Sequence, residues 1–228
     1  MKKISIAIVV PVLNEERELD SAIKHLQTVN ADELVFIDGG SVDSSTKILE
    51  QNKVIWHASK PGRAKQMNLG ASKVTSDIIL FLHTDTLLCS SYLQKIRASM
   101  QDSKVIAGRF DIILTGSNLM FRLVELFVNW RSRLTRISSG DQAMFIRRDI
   151  FESLGGFPDQ VLMEDIEMSK RLKVLGKITC LHEQVVTSSR RWEKHGIFRT
   201  ILLMWRLRFQ YWLGADPANL KQQYVDHQ

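Results

Sequence analysis

A histidine and an aspartate two residues apart, His83 and Asp85, follow a run of five apolar residues at 78–82. An apolar run without alternation is typical of a strand that is buried on both faces of a parallel sheet. Ligands bind beyond the carboxyl ends of such strands. An imidazole and a carboxylate at that position can together hold a divalent cation. The alternative is an ordinary exit from strand to loop, with His83 bonded to backbone.

The elements that must position this pair alternate between strand and helix. The pattern predicts strands at 4–12, 33–38, 53–57 and 78–82, and helices at 14–29, 44–51 and 64–72. Asp43 is the expected N-cap of the second helix. Strands that alternate with helices at this spacing form βαβ units. The fold class is therefore predicted to be α/β, with a mostly parallel central sheet flanked by helices.

The second half of the chain is less regular. Helices are predicted at 90–101, 118–136, 148–154, 164–175 and 196–213, and strands at 105–114, at 141–146 and within 177–186. There is no internal repeat and no low-complexity linker in the sequence. A single domain with a C-terminal helical extension is the predicted organisation.

Composition narrows the class of protein. Hydrophobic residues make up 44% and charged residues 25% of the 228, which excludes a globally disordered chain. The net charge of +6 favours an anionic partner, whether a nucleotide, a nucleic acid or an acidic membrane. Cys89 and Cys180 lack metal-ligand spacing, which indicates a reducing, cytoplasmic compartment. Neither a signal peptide nor a transmembrane helix is expected.

Six short motifs occur in order along the chain. They are Val-Pro-Val-Leu-Asn-Glu at 10–15, Ile-Asp-Gly-Gly-Ser-Val-Asp at 37–43, Gly-Arg-Ala-Lys-Gln-Met-Asn-Leu-Gly at 62–70, Leu-His-Thr-Asp at 82–85, Gly-Gly-Phe at 155–157 and Glu-Asp at 164–165. Together they resemble the family-2 glycosyltransferases of the GT-A fold, which transfer a sugar from a nucleotide-activated donor. The resemblance covers residues 4–191. His-Thr-Asp at 83–85, Gly-Asp-Gln at 140–142 and Arg-Arg-Trp at 190–192 resemble a bacterial subgroup.

The resemblance implies that the chain is divided into a catalytic domain and a C-terminal extension. Residues 1–192 would form the GT-A domain, a Rossmann-like unit with a nucleotide-binding half at 1–88 and an acceptor half at 89–192. Residues 193–228 would form a basic and aromatic helical extension.

The resemblance also implies contacts with a UDP-sugar at the ends of the first strands. Asp38 and Glu15 would accept hydrogen bonds from the uracil or the ribose, and Arg63 would stack on the base or bond to it. The structural alternatives are that Asp38 caps a glycine turn, that Glu15 opens a helix and that Arg63 is a solvated charge. Asn68 is a weaker candidate, because a helical Asn often bonds to backbone. The expected donor contacts are Pro11, Asn14, Glu15, Asp38, Arg63, Gln66, Thr84, Asp85 and Arg191.

The family's Asp-x-Asp motif holds Mn²⁺ or Mg²⁺ against the donor phosphates. Asp85 matches its last Asp, but His83 replaces the first, and imidazole suits Mn²⁺ better than Mg²⁺. A second imidazole, from His182 or His195, can complete the site, although solvated loop positions are the alternative. Charge-assisted bonds from Arg191 can do part of the work of the metal.

The resemblance assigns the catalytic base to Asp165. An inverting transfer needs one carboxylate that takes the proton of the acceptor hydroxyl as its oxygen attacks. The alternative is that Glu164 and Asp165 only stabilise a helix N-terminus. Glu164, together with Asp141 and Gln142 in the acceptor half, is expected to contact the acceptor.

Two segments, 121–136 and 190–212, are both basic and aromatic. Such helices can lie in a membrane interface and attract anionic lipid. That position would favour a lipid-linked acceptor and attachment at the inner face of the cell membrane. The alternative is that they pack on the catalytic domain or on a second copy of the chain in a homodimer.

The sequence can also be compared with what other functions would require. A nucleotidyltransferase would carry a Gly-rich phosphate loop after the first strand, where Pro11 to Glu15 stand instead. A non-catalytic nucleotide-sugar-binding protein or membrane scaffold on the same fold fits the loss of the first Asp, whereas Asp85 and Asp165 favour an enzyme. Nucleic-acid binding is excluded, because the basic residues cluster around apolar helices rather than along a groove.

Overall fold

The computed structural model of the protein describes residues 3–225, apart from the side chains at positions 191 and 225. Its centre is a seven-stranded sheet with the strand order β3-β2-β1-β4-β6-β5-β7. The strands are β1 (Ile6–Val12), β2 (Glu33–Asp38), β3 (Trp56–Ala58), β4 (Ile78–Phe81), β5 (Val105–Leu114), β6 (Phe145–Arg147) and β7 (Lys177–Thr187). Only β6 runs antiparallel to its neighbours, β4 and β5. The predicted α/β fold with a mostly parallel sheet is confirmed.

Helices flank the sheet. They are α1 (Leu19–Val29), α2 (Ser45–Gln51), α3 (Arg63–Ser72), α4 (Ser91–Ser99), α5 (Leu119–Thr135), α6 (Arg148–Ser153), α7 (Glu164–Leu175), α8 (Arg190–His195), α9 (Ile197–Trp212) and α10 (Pro217–Val225). The bounds of β5 and α7 are those predicted from the sequence.

The unbroken apolar run of β1 explains its central place. Ile6 and Ile8 pack into the core on one face of the sheet, with α1 and α4. Ala7 and Val9 pack into the core on the other face, with α3 and α7. All four residues are fully buried. Because burial of one such aliphatic side chain stabilises a fold by about 1.5–3 kcal/mol, β1 anchors both layers and holds its carboxyl end rigidly at the site.

The first predicted helix begins five residues later than expected. Asn14 has a left-handed backbone conformation, with φ at 56°. Its N–H donates to Ser41 Oγ at 2.9 Å, and its Oδ1 accepts from the Val42 N–H at 2.9 Å. The Glu15 N–H donates to Ser45 Oγ at 2.9 Å. These bonds to the loop after β2 replace the helical turn predicted from residue 14.

The second helix and the third strand also begin later than predicted. Asp43 is not the N-cap, because Ser44 occupies that position, and the Asp43 carboxylate instead accepts from the Ser45 N–H at 2.9 Å. The third strand starts at Trp56, since Lys53 has a φ of 53°, which no strand adopts.

The predicted strand at 141–146 is wrong in its first half. Gly140–Gln142 forms a 3-10 turn, and the strand begins at Phe145. A reciprocal pair of bonds between Ser139 and Gln142 stabilises the turn. The turn places Asp141 beyond the sheet instead of within it.

The single helix predicted at 196–213 is preceded by α8 and followed by α10. Gly196, at a φ of 82°, separates α8 from α9. Leu207 of α9 and Leu220 of α10 are fully buried against Met163 and Ile166, which flank the start of α7. The C-terminal helices are therefore held against the side of the site. Within residues 3–225, no helix combines the length and the apolar character that crossing a membrane would require.

Candidate active site

Asp38 lies at the carboxyl end of β2 and is only 3% exposed. Its Oδ2 accepts hydrogen bonds from the backbone N–H groups of Gly40, at 2.9 Å, and Ser41, at 3.1 Å. Asp38 thus caps the glycine turn, as one interpretation of the sequence predicted. Because a carboxylate has about four acceptor positions, the capping bonds leave others for a ligand.

Gln66 reaches the same strand ends from α3. Its amide nitrogen donates to the carbonyl oxygens of Val12 and Ile37, both at 2.8 Å, and its side chain lies under Gly39. Both amide hydrogens are therefore used within the protein. Gln66 ties β1 to β2 and positions Asp38, and its N–H groups do not face the side where a ligand would bind.

Glu15 and Asp85 interact at the ends of β1 and β4. Burial raises the pKa of Glu15, the Asp85 charge raises it further, and Arg190 lowers it. Burial also raises the pKa of Asp85, against the lowering effects of Arg190 and Arg63. Arg190, on α8, also pairs with Glu18 at 2.5 Å. Two arginines from distant segments therefore face this carboxylate pair.

The Arg-Arg-Trp segment therefore reaches the site through its first arginine. Sequence reasoning had assigned this role to Arg191, whose side chain lies outside the described residues. Thr84, between the two candidate metal ligands, is buried and interacts with Glu15.

His83 is held in its neutral form. Burial lowers its pKa well below the ordinary 6.5, and the positive charge of Arg63 acts in the same direction. Its Nε2 faces Gly140, where a β-carbon would lie only 3.2 Å away. A neutral imidazole is the form that ligates a metal, so the protonation state of His83 is compatible with its predicted role as a ligand beside Asp85.

No group of three His, Cys, Asp or Glu side chains close enough to hold a metal occurs among the described residues. Of the two alternatives that the sequence left open for His182 and His195, completion of the metal site finds no support among these residues. His182 lies instead beside Arg133, with Nε2 at 3.3 Å from Arg133 Nη1. Phosphate oxygens and water would have to supply the other ligands, as is usual for Mg²⁺ at nucleotide sites.

Asp165 opens α7 with both carboxylate oxygens bonded. Its Oδ2 accepts from the Gly140 N–H and its Oδ1 from the Ile166 N–H, each at 2.7 Å. Burial raises the pKa of Asp165, while the Arg208 guanidinium and the two backbone bonds lower it. The preceding turn places Met163 at a φ of 65°, a conformation that non-glycine residues rarely adopt. Asp165 is thus a fixed carboxylate with a raised proton affinity.

Glu164 is the second carboxylate of this turn. Burial raises its pKa to about 7, the neighbouring Asp165 charge contributes, and Arg63 opposes both. A cavity of about 20 Å³ joins the two ends of the site, with room for about one water molecule. Its lining residues are Pro11, Arg63, Met67, Phe81, Leu82, His83, Gly140, Met144, Phe157, Glu164 and Asp165. The candidate metal ligand and the candidate base therefore face one space.

Asp141 lies between the two ends, since its charge adds to the effect of burial in raising the pKa of both Asp85 and Asp165. The neighbouring Gln142 is fully buried. Its amide donates to Ser132 Oγ at 2.9 Å and accepts from the Ser139 N–H at 3.0 Å. Gln142 thus holds the turn, whereas Asp141 faces the site.

Sequence reasoning missed two arginines, Arg131 and Arg208, and chose Arg191 within a motif whose Arg190 reaches the site. Arg131 lies on α5 and Arg208 on α9, near Asp141 and Asp165. The only signal in the sequence was the basic character of both helices. No fixed spacing relates either arginine to the Glu-Asp motif.

Asn68 holds the Gly-Gly-Phe loop. Its amide nitrogen donates to the Phe157 carbonyl, and its Oδ1 accepts from the Phe157 N–H, both at 2.8 Å. A β-carbon at Gly156 would lie 2.6 Å from Asn68 Oδ1, so glycine is needed there. Asn68 therefore bonds to backbone, as the alternative to a ligand contact predicted.

The variant Asn68→Ala should lower the free energy of unfolding by about 2–4 kcal/mol, because it leaves two polar backbone groups of Phe157 without partners. For a chain of this size the thermal midpoint should fall by about 5–15 °C, measured by calorimetry. Asn219→Ala is the control, because Asn219 is exposed on α10. Equal midpoints for the two variants would contradict this role.

A family model described as glycosyl transferase family 2 matches residues 7–155, more than half of the chain. The Bacillus subtilis protein named probable glycosyltransferase YdaM is 24% identical over 95% of this chain and 56% of its own length. The chain spans about half the length of the curated relatives it matches.

Solved structures share the fold. TarS of S. aureus, crystallised with UDP-GlcNAc, is 16% identical with a TM-score of 0.64, covering 81% of this chain and 58% of that chain. Glucosyl-3-phosphoglycerate synthase of Mycobacterium tuberculosis, crystallised with Mn²⁺, UDP and glucosyl-3-phosphoglycerate, is 17% identical with a TM-score of 0.60, covering 79% and 70%. The predicted GT-A fold is confirmed by these likenesses.

Proposed function

This chain belongs to glycosyl transferase family 2, and we propose that it transfers a sugar from a UDP-sugar to an acceptor hydroxyl with inversion at the anomeric carbon. The observation that carries the proposal is that His83 and Asp165 line the same cavity. A group at the donor end and a base at the acceptor end must face the same reacting carbon, and this arrangement lets them do so.

Residues 1–88 supply the donor end in this proposal. Asp38 and Glu15 accept hydrogen bonds from the nucleoside, and Arg63 contacts the base or the phosphates. Crystals of similar proteins with UDP or UDP-GlcNAc support a uridine nucleotide. Pro11, Asn14 and Thr84 lie at the same strand ends. The contact assigned to Arg191 stays a prediction.

The donor diphosphate needs positive charge, because the leaving group gains charge as the glycosidic bond breaks. His83 and Asp85 would hold a divalent cation, Mn²⁺ or Mg²⁺, which supplies that charge when it is bound. A similar protein crystallised with Mn²⁺ supports this cofactor. Arg190 and Arg63 add fixed positive charge from two other sides. The protein's own arginines therefore share the stabilisation of the leaving group.

Asp165 acts as the base. As the acceptor oxygen forms its bond to the anomeric carbon, the bond to the diphosphate oxygen breaks, and the hydroxyl proton passes to the Asp165 carboxylate. The Gly140 and Ile166 N–H groups hold that carboxylate in one orientation. Glu164 and Asp141 contact the acceptor, and residues 89–192 form the acceptor half.

Asp38→Ala should weaken the binding of UDP by about 10–100-fold, because it removes a charged acceptor of nucleoside hydrogen bonds. Calorimetric titration with UDP measures the effect, and a thermal midpoint checks that the glycine turn survives. Asp149→Ala, at an exposed position on α6, is the control. Unchanged affinity, or a preference of the unmodified protein for guanine or cytosine nucleotides, would contradict the assignment.

A broad apolar surface lies on α5 and α9. The helices meet where Val124 and Val128 pack near Ile197 and Ile201. Their outer sides expose ten large apolar residues, each at least 57% accessible: Leu119, Leu126, Phe127, Trp130, Leu134, Phe198, Leu202, Trp205, Phe209 and Trp212. A surface of this extent marks an interaction site. We propose that it docks on an anionic membrane at the inner face of the cell membrane, where a lipid-linked acceptor would be found.

The charge of the chain favours lipid over a second copy of the chain. The net charge is +6, and Arg136 and Arg206 are exposed at the two helices. Like charges would repel each other across a symmetric dimer, whereas a basic aromatic surface is attracted to anionic headgroups.

Liposomes containing anionic lipid should retain the protein at low salt in a sedimentation assay. Trp205→Ser with Phe209→Ser should lower the partition coefficient by at least about 10-fold, because each ring contributes on the order of 1.5–3 kcal/mol when buried. Val42→Ser is the control, since Val42 is 91% exposed far from α9 in the sequence. A dimer that ignores liposomes, and that the double variant converts to a monomer, would overturn the membrane proposal.

A further inference from the structure

Three buried polar atoms without hydrogen-bond partners lie at the acceptor end of the site. They are Arg131 Nη2, Arg208 Nε and Asp141 Oδ1, out of five such side-chain atoms in the described part of the chain. Because an unpartnered buried polar group costs about 1–3 kcal/mol, three in one place call for an explanation. Two of them are donors and one is an acceptor.

Packing brings these residues together from three parts of the chain. Leu207 of α9 is buried with Met163 and Ile166, which flank Glu164 and Asp165. Ile137, just after α5, packs against the same cluster. Arg208 follows Leu207 directly, and Arg131 lies in the last turns of α5. The charge of Asp165 acts on Arg131 and the charge of Arg208 acts on Asp165, so both guanidinium groups lie near the start of α7.

The two arginines are not neutralised by direct ion pairs. Between residues 3 and 225, neither Arg131 nor Arg208 has a carboxylate oxygen within 4.0 Å. The bond from Arg131 Nη1 to the Ile137 carbonyl is long, at 3.4 Å. Burial lowers the pKa of Arg131 to about 10, and the charge of Arg208 acts in the same direction, whereas the charges of Asp141 and Asp165 raise it. Two positive charges are thus held close together, which is unfavourable in free energy.

Two other arginines, Arg109 and Arg133, show how this protein pairs buried guanidinium groups where no ligand is proposed. Arg109 and Arg133 share the carboxylate of Asp111, and the Arg133 Nη2 lies 2.6 Å from it. Arg133 also donates to the Cys180 and Leu181 carbonyls. Arg109 Nε also has no partner, so the difference is that Arg109 and Arg133 each bind a carboxylate, whereas Arg131 and Arg208 bind none among the described residues.

We propose that Arg131 and Arg208 bind an anionic group of the acceptor, a phosphate or a carboxylate, while Asp141 Oδ1 accepts a hydrogen bond from a hydroxyl of the same molecule. Guanidinium groups match both anions in geometry and bond to them strongly. The inference rests on the proposed function, because it names the class of acceptor for the same site. The acceptor is an anionic molecule whose attacking hydroxyl lies near its charged group.

The subsite is separate from the charges at the donor end. Arg190 acts on Asp85 and Arg208 acts on Asp165, whereas Arg63 lines the cavity between the two ends and acts on both Asp85 and Glu164. In this proposal Arg190 faces the donor diphosphate, Arg131 and Arg208 face the acceptor anion, and Arg63 and Asp141 lie between them. Helix α9 is then part of the substrate-binding site.

Sulfate, as a tetrahedral anion, is titrated calorimetrically into the full chain saturated with UDP and a divalent cation, so that the donor end is occupied. We expect millimolar binding that Arg131→Met and Arg208→Met each weaken at least about 10-fold. Arg208→Lys should restore part of it, because the charge remains. Arg206→Met is the control on the same helix, since Arg206 points outward to Gln223 at 2.8 Å. Acetate replaces sulfate to tell a carboxylate subsite from a phosphate subsite.

Sulfate binding that survives unchanged in both methionine variants would overturn the subsite. So would a protein that binds UDP but neither sulfate nor acetate, and that result leaves the proposed function standing. A protein that does not bind UDP would contradict the proposed function, and loss of sulfate binding in the two variants would still establish the arginine pair. If Arg131→Met does not fold, Arg208→Met and Arg208→Lys decide.

Discussion

Asp165→Asn should lower the rate of sugar transfer by ~10²–10⁴-fold while the affinity for the donor stays nearly unchanged. Asparagine keeps the size of the side chain and one oxygen that accepts from Gly140 or Ile166. It cannot take the proton of the acceptor hydroxyl. The loss should therefore appear in kcat, whereas UDP binding should differ little from that of the unmodified protein.

The measurement is UDP release from a UDP-sugar in the presence and absence of acceptor. Hydrolysis of the donor by water should persist in Asp165→Asn, since that reaction does not need the same base. Asp149→Asn, on the exposed side of α6, is the matched control. If Asp165→Asn transfers sugar at a near-normal rate while Asp141→Asn does not, the base is Asp141.

The pH profile of transfer tests the same assignment. A base works only when it is deprotonated, and burial raises the pKa of Asp165 above the ordinary 3.8. The rate should therefore fall as the pH drops through this raised pKa, at a higher pH than for a solvated aspartate. Glu164, with a pKa of about 7, should still carry a proton in the same acidic range. In Asp165→Asn, the fall in the transfer rate at low pH that is due to protonation of the base should disappear.

Most of the fold could be predicted from local patterns. The runs that form β1 and β4 are apolar without alternation, and both strands lie buried in the middle of the sheet. The predicted bounds were wrong where hydrogen bonds to residues distant in the sequence determine the backbone conformation. Residues 14–16 bond to the loop at 41–45 instead of starting a helix, and no pattern within the first helix encodes those partners.

The site could be predicted only in part, for a related reason. Motif order indicated His83 and Asp165, which line one cavity, and Asp85, whose pKa is raised by burial and lowered in part by Arg63 from the same lining. The same motifs did not distinguish ligand-facing polar groups from internal ones. Gln66 donates both of its amide hydrogens, and Gln142 donates one, to acceptors inside the protein.

The arginines that complete the site lie outside the motifs altogether. Arg131 approaches Asp165 because Ile137, just after α5, packs against the start of α7, and Arg208 does so because Leu207 packs α9 there. The contact of Leu207 joins residues more than forty positions apart, so helical spacing within either segment carries no trace of it. Packing, and not the pattern, decides which charges of a basic helix reach the site.

Asp85→Asn should abolish most metal-dependent donor binding, with a loss in metal affinity of at least about 100-fold. Changes in the groups that merely support metal ligands already cost 10–100-fold, and the removal of a charged ligand should cost no less. Calorimetric titration of UDP with Mn²⁺ or Mg²⁺ measures it. Metal-independent binding through Asp38 should remain, which separates this variant from a general loss of the donor site.

His83→Asp should shift the preference of the protein from Mn²⁺ toward Mg²⁺, lowering the ratio of the two affinities by on the order of 10-fold, because Mg²⁺ favours oxygen ligands. Burial and Arg63 hold the pKa of His83 well below 6.5, so protons should not compete with the metal at neutral pH. Metal affinity should therefore stay flat as the pH falls through 6.5, where a solvated histidine would lose it. His182→Asp, beside Arg133 and outside the metal pair, is the control. The same affinity ratio in His83→Asp as in the unmodified protein would mean that Asp85 holds the cation without help from the imidazole.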